Sequence, residues 1–341
     1  MNAPSILVAS TAITERFMDP VQDRLSAMGC EVTRFRSKEE WLGGRQAIAD
    51  FDVLFIDGHV SVDRATIASA PKLRAIIAPT TGTEGVDMAA ASELGIIVGN
   101  GQTVENYTSM AEAAVMLTLV SLYDIKSSED HLRSKFNRPS GPPGLMLRGK
   151  TIGILGLGKI GQTVCRLLQP WGATLQAVVR SERDVPEGVS IRPLETVLET
   201  SDVIIVLLAL NDQTRGLLDE ARLRRTQRNC VLINIARGGI IDEAALCKLV
   251  IDGHFRHVAL DVFDEEPLPA DSPLRQLPRT TLTPHCVGHT AETVASFPDA
   301  AMTNIVNVLR GSLPAYVRNP DAAATWSARW ANQSFDVQGG D

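Results

Sequence analysis

The stretch Thr151-Ile-Gly-Ile-Leu-Gly156-Leu-Gly158-Lys-Ile-Gly161 reads as a buried strand that runs into the pattern G-L-G-K-I-G and then into a helix. Each glycine answers a separate steric demand. Gly156 permits a tight turn, Gly158 lets the backbone approach a pyrophosphate, and Gly161 lets helix and strand pack closely. The helix N-terminus at Lys159 and Ile160 offers unpaired N–H groups and a positive dipole end to phosphates. A glycine-rich βα turn is a weak signal alone; the strand before it, the helix after it and the further βα units behind it make it a dinucleotide fingerprint. Gly156, Gly158, Lys159, Ile160 and Gly161 are the candidate cofactor-binding residues of this turn.

Outward from this stretch, apolar runs alternate with longer helical patterns, the signature of βαβ units and a mostly parallel sheet. Strands are predicted before the fingerprint at Ile6 to Ala9, Val32 to Phe35, Val53 to Asp57, Leu73 to Ala78 and Ile96 to Val98. A second series follows the Pro/Gly-rich loop Pro139 to Gly144: Thr151 to Leu155, Thr174 to Val179, Val203 to Leu208, Val231 to Ile235, Val258 to Val262 and Thr280 to Thr283. Between the two series, Asn106 to Arg133 reads as one long helix. A last helix, roughly Ala291 to Leu309, has no third sheet to join and is expected to cross back to the first. The fold class is α/β, with two Rossmann-like doubly wound parallel-sheet domains.

Composition agrees with an ordinary globular protein. The chain has 341 residues, 44% hydrophobic and 21% charged, enough for two domains. A net charge of -7 argues against a nucleic-acid partner and leaves room for an anionic small molecule held by one arginine. The N-terminus lacks a basic and apolar leader pattern, and no uninterrupted apolar run approaches the ~18 residues of a membrane span, so a cytoplasmic protein without membrane association is expected. Five cysteines, Cys30, Cys165, Cys230, Cys247 and Cys286, are scattered without C-x-x-C spacing, which predicts reduced thiols and no metal site.

Three further loops carry chemistry. Arg237, in Asn234-Ile-Ala-Arg-Gly-Gly, follows a buried strand at the edge where open α/β sheets bind ligands. A guanidinium there can grip a carboxylate with two parallel hydrogen bonds. Glu266, in Asp261-Val-Phe-Asp-Glu-Glu-Pro267, and His285, in Thr283-Pro-His-Cys-Val-Gly288, also follow strands. Taken singly, each is equally a solvated or structural residue.

Taken together, G-L-G-K-I-G, N-I-A-R-G-G, D-V-F-D-E-E-P and T-P-H-C-V-G-H-T occur in the order and spacing of the D-isomer-specific 2-hydroxyacid dehydrogenases. The resemblance, closest to glyoxylate/hydroxypyruvate reductases, extends to Gly82-Thr-Glu-Gly-Val-Asp87, Leu94-Gly-Ile-Ile-Val and Ser109-Met-Ala-Glu112 and reaches about Arg310. It implies a discontinuous, flavodoxin-like substrate domain over 1 to 102 and 292 to 320, a dinucleotide domain over 103 to 291, and a C-terminal tail over 321 to 341. The active site would lie in the cleft. The implied activity is hydride transfer between NAD(P)H and a 2-oxo acid, working as a reductase. Arg237 would bind the substrate carboxylate and polarise its keto oxygen, His285 would be the acid/base, and Glu266 would pair with the histidine. The loop Thr80-Thr81-Gly82 would offer backbone N–H groups to the carboxylate, Asp261 would hold the nicotinamide carboxamide, and Ala236 would be a further cofactor contact.

The chemistry agrees: hydride arriving at a carbonyl carbon puts negative charge on its oxygen, so a cation and a proton donor must converge there. A carboxylate hydrogen-bonded to an imidazole favours its protonated form. The sequence departs from the family pattern at Thr80, Leu207, Ala209 and Val287, which leaves the identity of the oxo acid open. About twenty residues past the glycines, where a carboxylate would bind an adenosine ribose, the chain reads Val178-Val179-Arg180-Ser181. Arg180 and Ser181, with Arg183 nearby, suit a 2′-phosphate, so NADP(H) is expected to be preferred and NAD(H) tolerated. The other reading of Arg180 is a solvated strand-end arginine in an enzyme indifferent to the phosphate. The long apolar helix and the resemblance predict a homodimer. Rival functions within the same fold are a phosphite- or formate-oxidising enzyme and an NAD(H)-binding corepressor-like interaction module.

Overall fold

In this computed structural model the residues described are 3–10, 14–58, 60–134, 143–181 and 184–337, the side chains of 45–47 excepted. Arg183 and most of the predicted 139–144 loop lie outside them. The chain divides into two compact units, Met1–Asn106 with Ala291–Asp341, and Tyr107–Thr290.

The first unit is a five-stranded parallel sheet in the order β2-β1-β3-β4-β5, formed by β1 Ser5–Ala9, β2 Glu31–Phe35, β3 Val53–Ile56, β4 Ala75–Ile77 and β5 Ile97–Gly99. This is the flavodoxin-like order. Strand side chains alternate between faces, so each strand feeds two cores. Ile6, Val8, Phe55 and Ile77 face Met18, Val21 and Leu25 of one helix and Ile305 and Val308 of the returning helix Ala291–Leu309. Leu7, Leu54, Ile56 and Val98 face Trp41, Ile67 and Ala90 on the other side. Residues from 321 onward, set apart by their polar composition, bring two tryptophans into the first of these cores: Trp326 is fully buried and its indole N–H donates to the Arg74 carbonyl at 2.8 Å. The buried Arg74 guanidinium lies against the Trp330 and Phe335 rings and pairs with Asp52.

The second unit holds seven parallel strands in the order β12-β11-β10-β9-β6-β7-β8: β6 Thr151–Leu155, β7 Thr174–Val178, β8 Val189–Ile191, β9 Val203–Val206, β10 Cys230–Asn234, β11 Phe255–Leu260 and β12 Thr280–Leu282. Strand order reverses on either side of β6, which makes its C-terminal end the switch point where such sheets bind ligands. The sequence reading lacks β8, an edge strand of three residues, Val-Ser-Ile, too short to show a periodicity.

The single helix expected over Asn106 to Arg133 is two helices, Val104–Tyr123 and Ile125–Ser134, bent by 53° at Asp124, whose φ of 51° is left-handed. The first buries Ala111, Ala114, Leu117 and Leu122 against β6. The second buries no residue, so no packing holds it to the line of the first. No single helix among the described residues is long and apolar enough to cross a membrane; this bent pair meets the length and composition only when its two parts are taken together.

Candidate active site

The predicted site residues of the second unit sit at the C-terminal ends of its strands. At β6, Gly156 has φ 106°, and a Cβ on it would lie 2.7 Å from the Leu207 carbonyl oxygen. A Cβ on Gly161 would fall 2.3 Å from the Gly156 carbonyl oxygen, so helix and turn touch through backbone. Gly158, the N-cap of the helix Lys159–Leu168, faces open space. Gly156 and Gly161 thus have the tight turn and the close helix–strand approach read from the sequence. Ile160 packs on the unit's core, and the Lys159 ammonium lies 5.7 Å from the centre of the Tyr107 ring. Past β7, Arg180 and Ser181 are exposed.

At β10, the turn that carries Arg237 is built by Asn234. Its buried side chain accepts from the Ala236 N–H at 3.1 Å and donates to the Arg237 carbonyl at 3.0 Å. The Arg237 guanidinium donates back to the Ala236 carbonyl at 2.6 Å, so both backbone polar groups of Ala236 are engaged within the turn. Gly238 is needed because a Cβ there would meet the Phe263 carbonyl oxygen at 1.8 Å. The Gly239 N–H donates to Asp264 at 2.5 Å, tying the β10 turn to the loop after β11.

That loop holds Glu266, whose Oε1 accepts from the Phe263 N–H at 3.0 Å. Its Oε2 lies 2.6 Å from His285 Nδ1, with both side chains partly exposed. Asp261 is buried, and its Oδ1 accepts from Thr283 Oγ1 at 2.7 Å and from the N–H groups of Cys286 and Val287 at 3.0 and 3.1 Å. Burial pushes the Asp261 carboxyl up from the ordinary aspartate range, against the opposing pull of these donors and of His285. Oδ2 accepts no hydrogen bond among the described residues. Arg237, Glu266 and His285 thus extend from the ends of three neighbouring strands, β10, β11 and β12. Among the described residues, no group of three His, Cys, Asp or Glu is placed to hold a metal ion.

In the first unit, Thr80, Thr81 and Gly82 are half-buried past the end of β4. The Thr80 carbonyl accepts from the Gly101 N–H, the Thr81 carbonyl from Asn100 Nδ2, and the Thr81 hydroxyl donates to Asn106. The loop's N–H groups at Thr81 and Gly82 donate no hydrogen bond among the described residues. Thr283 and Asn234, which shape the site without standing in it, are not among the sequence-predicted residues; their only signal is a polar residue placed two or three positions before His285 and Arg237.

The sequence profile of the D-isomer specific 2-hydroxyacid dehydrogenase, NAD binding domain, matches residues 115–287. The protein named D-3-phosphoglycerate dehydrogenase from Mycobacterium tuberculosis (strain ATCC 25618 / H37Rv) is 35% identical over 270 residues, 78% of this chain and 50% of that one. The chain therefore spans about half the length of that relative. Glyoxylate reductase from Korarchaeum cryptofilum (strain OPF8) is 30% identical over 283 residues, covering 81% of this chain and 85% of that protein. Among solved structures, an NADPH-dependent glyoxylate/hydroxypyruvate reductase from Sinorhizobium meliloti, in complex with NADP and malonate, superposes with TM-score 0.81 at 26% identity over 94% of this chain and 98% of that one. With its two parallel-sheet units, its dinucleotide fingerprint and these matches, the chain belongs to the D-isomer-specific 2-hydroxyacid dehydrogenase family.

Proposed function

We propose that this chain reduces a small 2-oxo acid to its 2-hydroxy acid, with NADP(H) as the preferred cofactor and NAD(H) tolerated. The observation that carries the proposal is the 2.6 Å contact between His285 Nδ1 and Glu266 Oε2, one strand away from the Arg237 turn. When bound, the nicotinamide supplies the hydride. The residues of this chain supply the rest. With Nδ1 assigned as the donor to Glu266, Nε2 would be the proton donor to the carbonyl oxygen; Glu266 in turn is fixed by the Phe263 N–H. Arg237 presents a planar set of donors that grips the carboxylate and meets the charge developing on the keto oxygen. The Thr80-Thr81-Gly82 loop would be a further carboxylate-binding element; the N–H groups of Thr81 and Gly82 donate no hydrogen bond among the described residues. Gly156, Gly158 and Gly161 with Lys159 would hold the pyrophosphate and Asp261 the nicotinamide carboxamide; Ala236, whose N–H and carbonyl are both engaged within the turn, would offer only its methyl group.

Preference for the 2′-phosphate rests on Arg180 and Ser181, which stand past β7 where a ribose-binding carboxylate would otherwise repel it. A homodimer in the cytoplasm is part of the same proposal. Exposed Met116, Tyr123, Ile125 and Leu132, on the two bent helices, suit burial against a second copy, and the five cysteines are unpaired thiols. The test is a panel of 2-oxo acids, glyoxylate and hydroxypyruvate first, run with both reduced cofactors, beside light scattering at micromolar concentration. Turnover of a 2-oxo acid faster with NADPH, by a particle of dimer mass, is expected. Absence of turnover across the panel rejects the reductase; a monomer mass rejects the dimer.

A further inference from the structure

The backbone of His285 has φ 51°, in the left-handed region that non-glycine residues occupy only when their surroundings over-determine it. The contacts that hold it there converge on Asp261. The His285 N–H is shared between the Asp261 carbonyl at 2.8 Å and the Thr283 carbonyl at 3.0 Å, while the next two N–H groups, of Cys286 and Val287, both point at Asp261 Oδ1. The third donor to that oxygen, and the shortest at 2.7 Å, is the Thr283 hydroxyl. It is the one side-chain donor of the three. A buried carboxylate loses solvation and depends on such donors to stay in one orientation.

From this convergence we infer that Thr283 is a positioning residue: its hydroxyl fixes the Asp261 carboxylate, which fixes the turn that presents His285 to Glu266. The inference rests on the proposed reduction, in which His285 carries the proton. Two anchors then set the imidazole. Glu266, held by the Phe263 N–H, sets the ring; Asp261, held by Thr283, sets the backbone beneath it. Without the hydroxyl, Oδ1 keeps only the two loop N–H groups, the carboxylate is free to turn, and the left-handed conformation at His285 loses part of what enforces it. A displacement of about 1 Å at a reacting group costs up to roughly a hundredfold in rate.

The test compares Thr283→Val, which keeps the side-chain shape and loses the hydroxyl, with Thr283→Ser, which keeps the hydroxyl. In nucleotide-free full-length protein labelled with nitrogen-15 at histidine, the His285 ring signals are assigned by their loss in His285→Ala. They should shift and broaden in Thr283→Val and stay as in the wild type in Thr283→Ser. In turnover of the faster of glyoxylate and hydroxypyruvate, kcat and kcat/KM should fall together by about tenfold in Thr283→Val, the pattern of a lost transition-state interaction, with Thr283→Ser near wild type. His285 signals that do not move in Thr283→Val overturn the inference. So does a loss that serine does not restore, or a weakened NADPH Kd at unchanged kcat, which would place Thr283 in nucleotide binding. If the valine variant does not fold, Thr283→Ala is read in the same way. Should His285→Ala itself keep wild-type turnover, the proposed reduction fails, and the ring signals still decide whether Thr283 positions His285.

Discussion

Strands β11 and β12 carry two threonine-linked pairs a few residues apart, and the two could hardly differ more in chemistry. Within the sheet, His257, almost fully buried, shares a 2.9 Å hydrogen bond with Thr281, and its Nδ1 has no partner among the described residues. Just past the strand ends, Thr283 binds Asp261 and His285 meets the Glu266 carboxylate at 2.6 Å. Inside, burial disfavours the imidazolium and pushes the His257 pKa down to about 4; Asp124 opposes this, and Lys126 and Arg256 add to it. At the edge, the His285 ring is partly exposed and faces a carboxylate. The same two strands therefore keep one histidine neutral as packing material and place the other, past their ends, against a carboxylate. The difference lies in position along the strand, which is also why the open edge of a parallel sheet is where chemistry collects.

The sharpest way to break this contrast is to remove each histidine in turn. His285→Ala should lower kcat for a 2-oxo acid by ~10² to 10⁴, the usual contribution of general acid catalysis, with nucleotide affinity unchanged. Stopped-flow or steady-state rates read it; a variant within a few-fold of wild type would leave the edge pair no more functional than the buried one. A smaller loss is expected for Arg237→Ala, roughly a hundredfold in kcat/KM, because a gripped carboxylate loses a charge-assisted partner. Its KM should rise and its kcat should fall, since Arg237 serves both ground state and transition state. A pure KM effect would confine Arg237 to binding. Smaller again is the effect of Arg180→Ala at the end of β7: the ratio of kcat/KM for NADPH over NADH should drop by about tenfold, the value of one charge-assisted phosphate contact. An unchanged ratio would make Arg180 a solvated strand-end arginine.

Most of the sheet architecture is legible in the chain because it depends on local pattern. Apolar runs such as Val203 to Leu208 and Val231 to Ile235 announce buried parallel strands, and the glycine run announces the turn between strand and helix, since backbone sterics demand glycine at Gly156 and Gly161. What stays hidden depends on partners distant in sequence. The two tryptophans past 321 are core residues because Arg74, some 250 positions earlier, offers a carbonyl and a guanidinium to them, and nothing in the polar stretch around them says so. The bend at Asp124 is silent for a similar reason: the periodicity through Leu122 is genuine, and the Leu122 carbonyl is taken by the Leu145 N–H and the Arg256 guanidinium, the latter far along the chain. In the site, Arg237, Glu266 and His285 stand out by residue type and family motif, whereas Asn234 and Thr283 do not, because a neutral polar residue acquires its role only through the side chains and N–H groups folded against it.

The smallest effect concerns the buried half of the comparison, and it bears on stability alone. In the unfolded chain a histidine titrates near 6.5, and in the folded protein burial holds His257 at about 4. Between those values the unfolded state binds the extra proton, so folding stability rises with pH across this window and is lost as pH falls from about 6.5 towards 4. From pH 7 to 5.5 the loss attributable to this one residue is roughly 1 kcal/mol. His254, also held down by burial, acts in the same direction, and Asp261, held up by burial, acts in the opposite one, so the total pH dependence does not isolate His257. The difference between wild type and His257→Gln does, because glutamine can keep the bond to Thr281 and has no proton to gain. Chemical denaturation of both proteins at pH 7 and 5.5 should show the wild type losing about 1 kcal/mol more than the variant over that interval, while kcat at pH 7 stays the same in both. Equal losses would mean that His257 is already solvated or charged in the folded protein, and a fall in kcat would mean that the strand interior and its edge are not chemically separate after all.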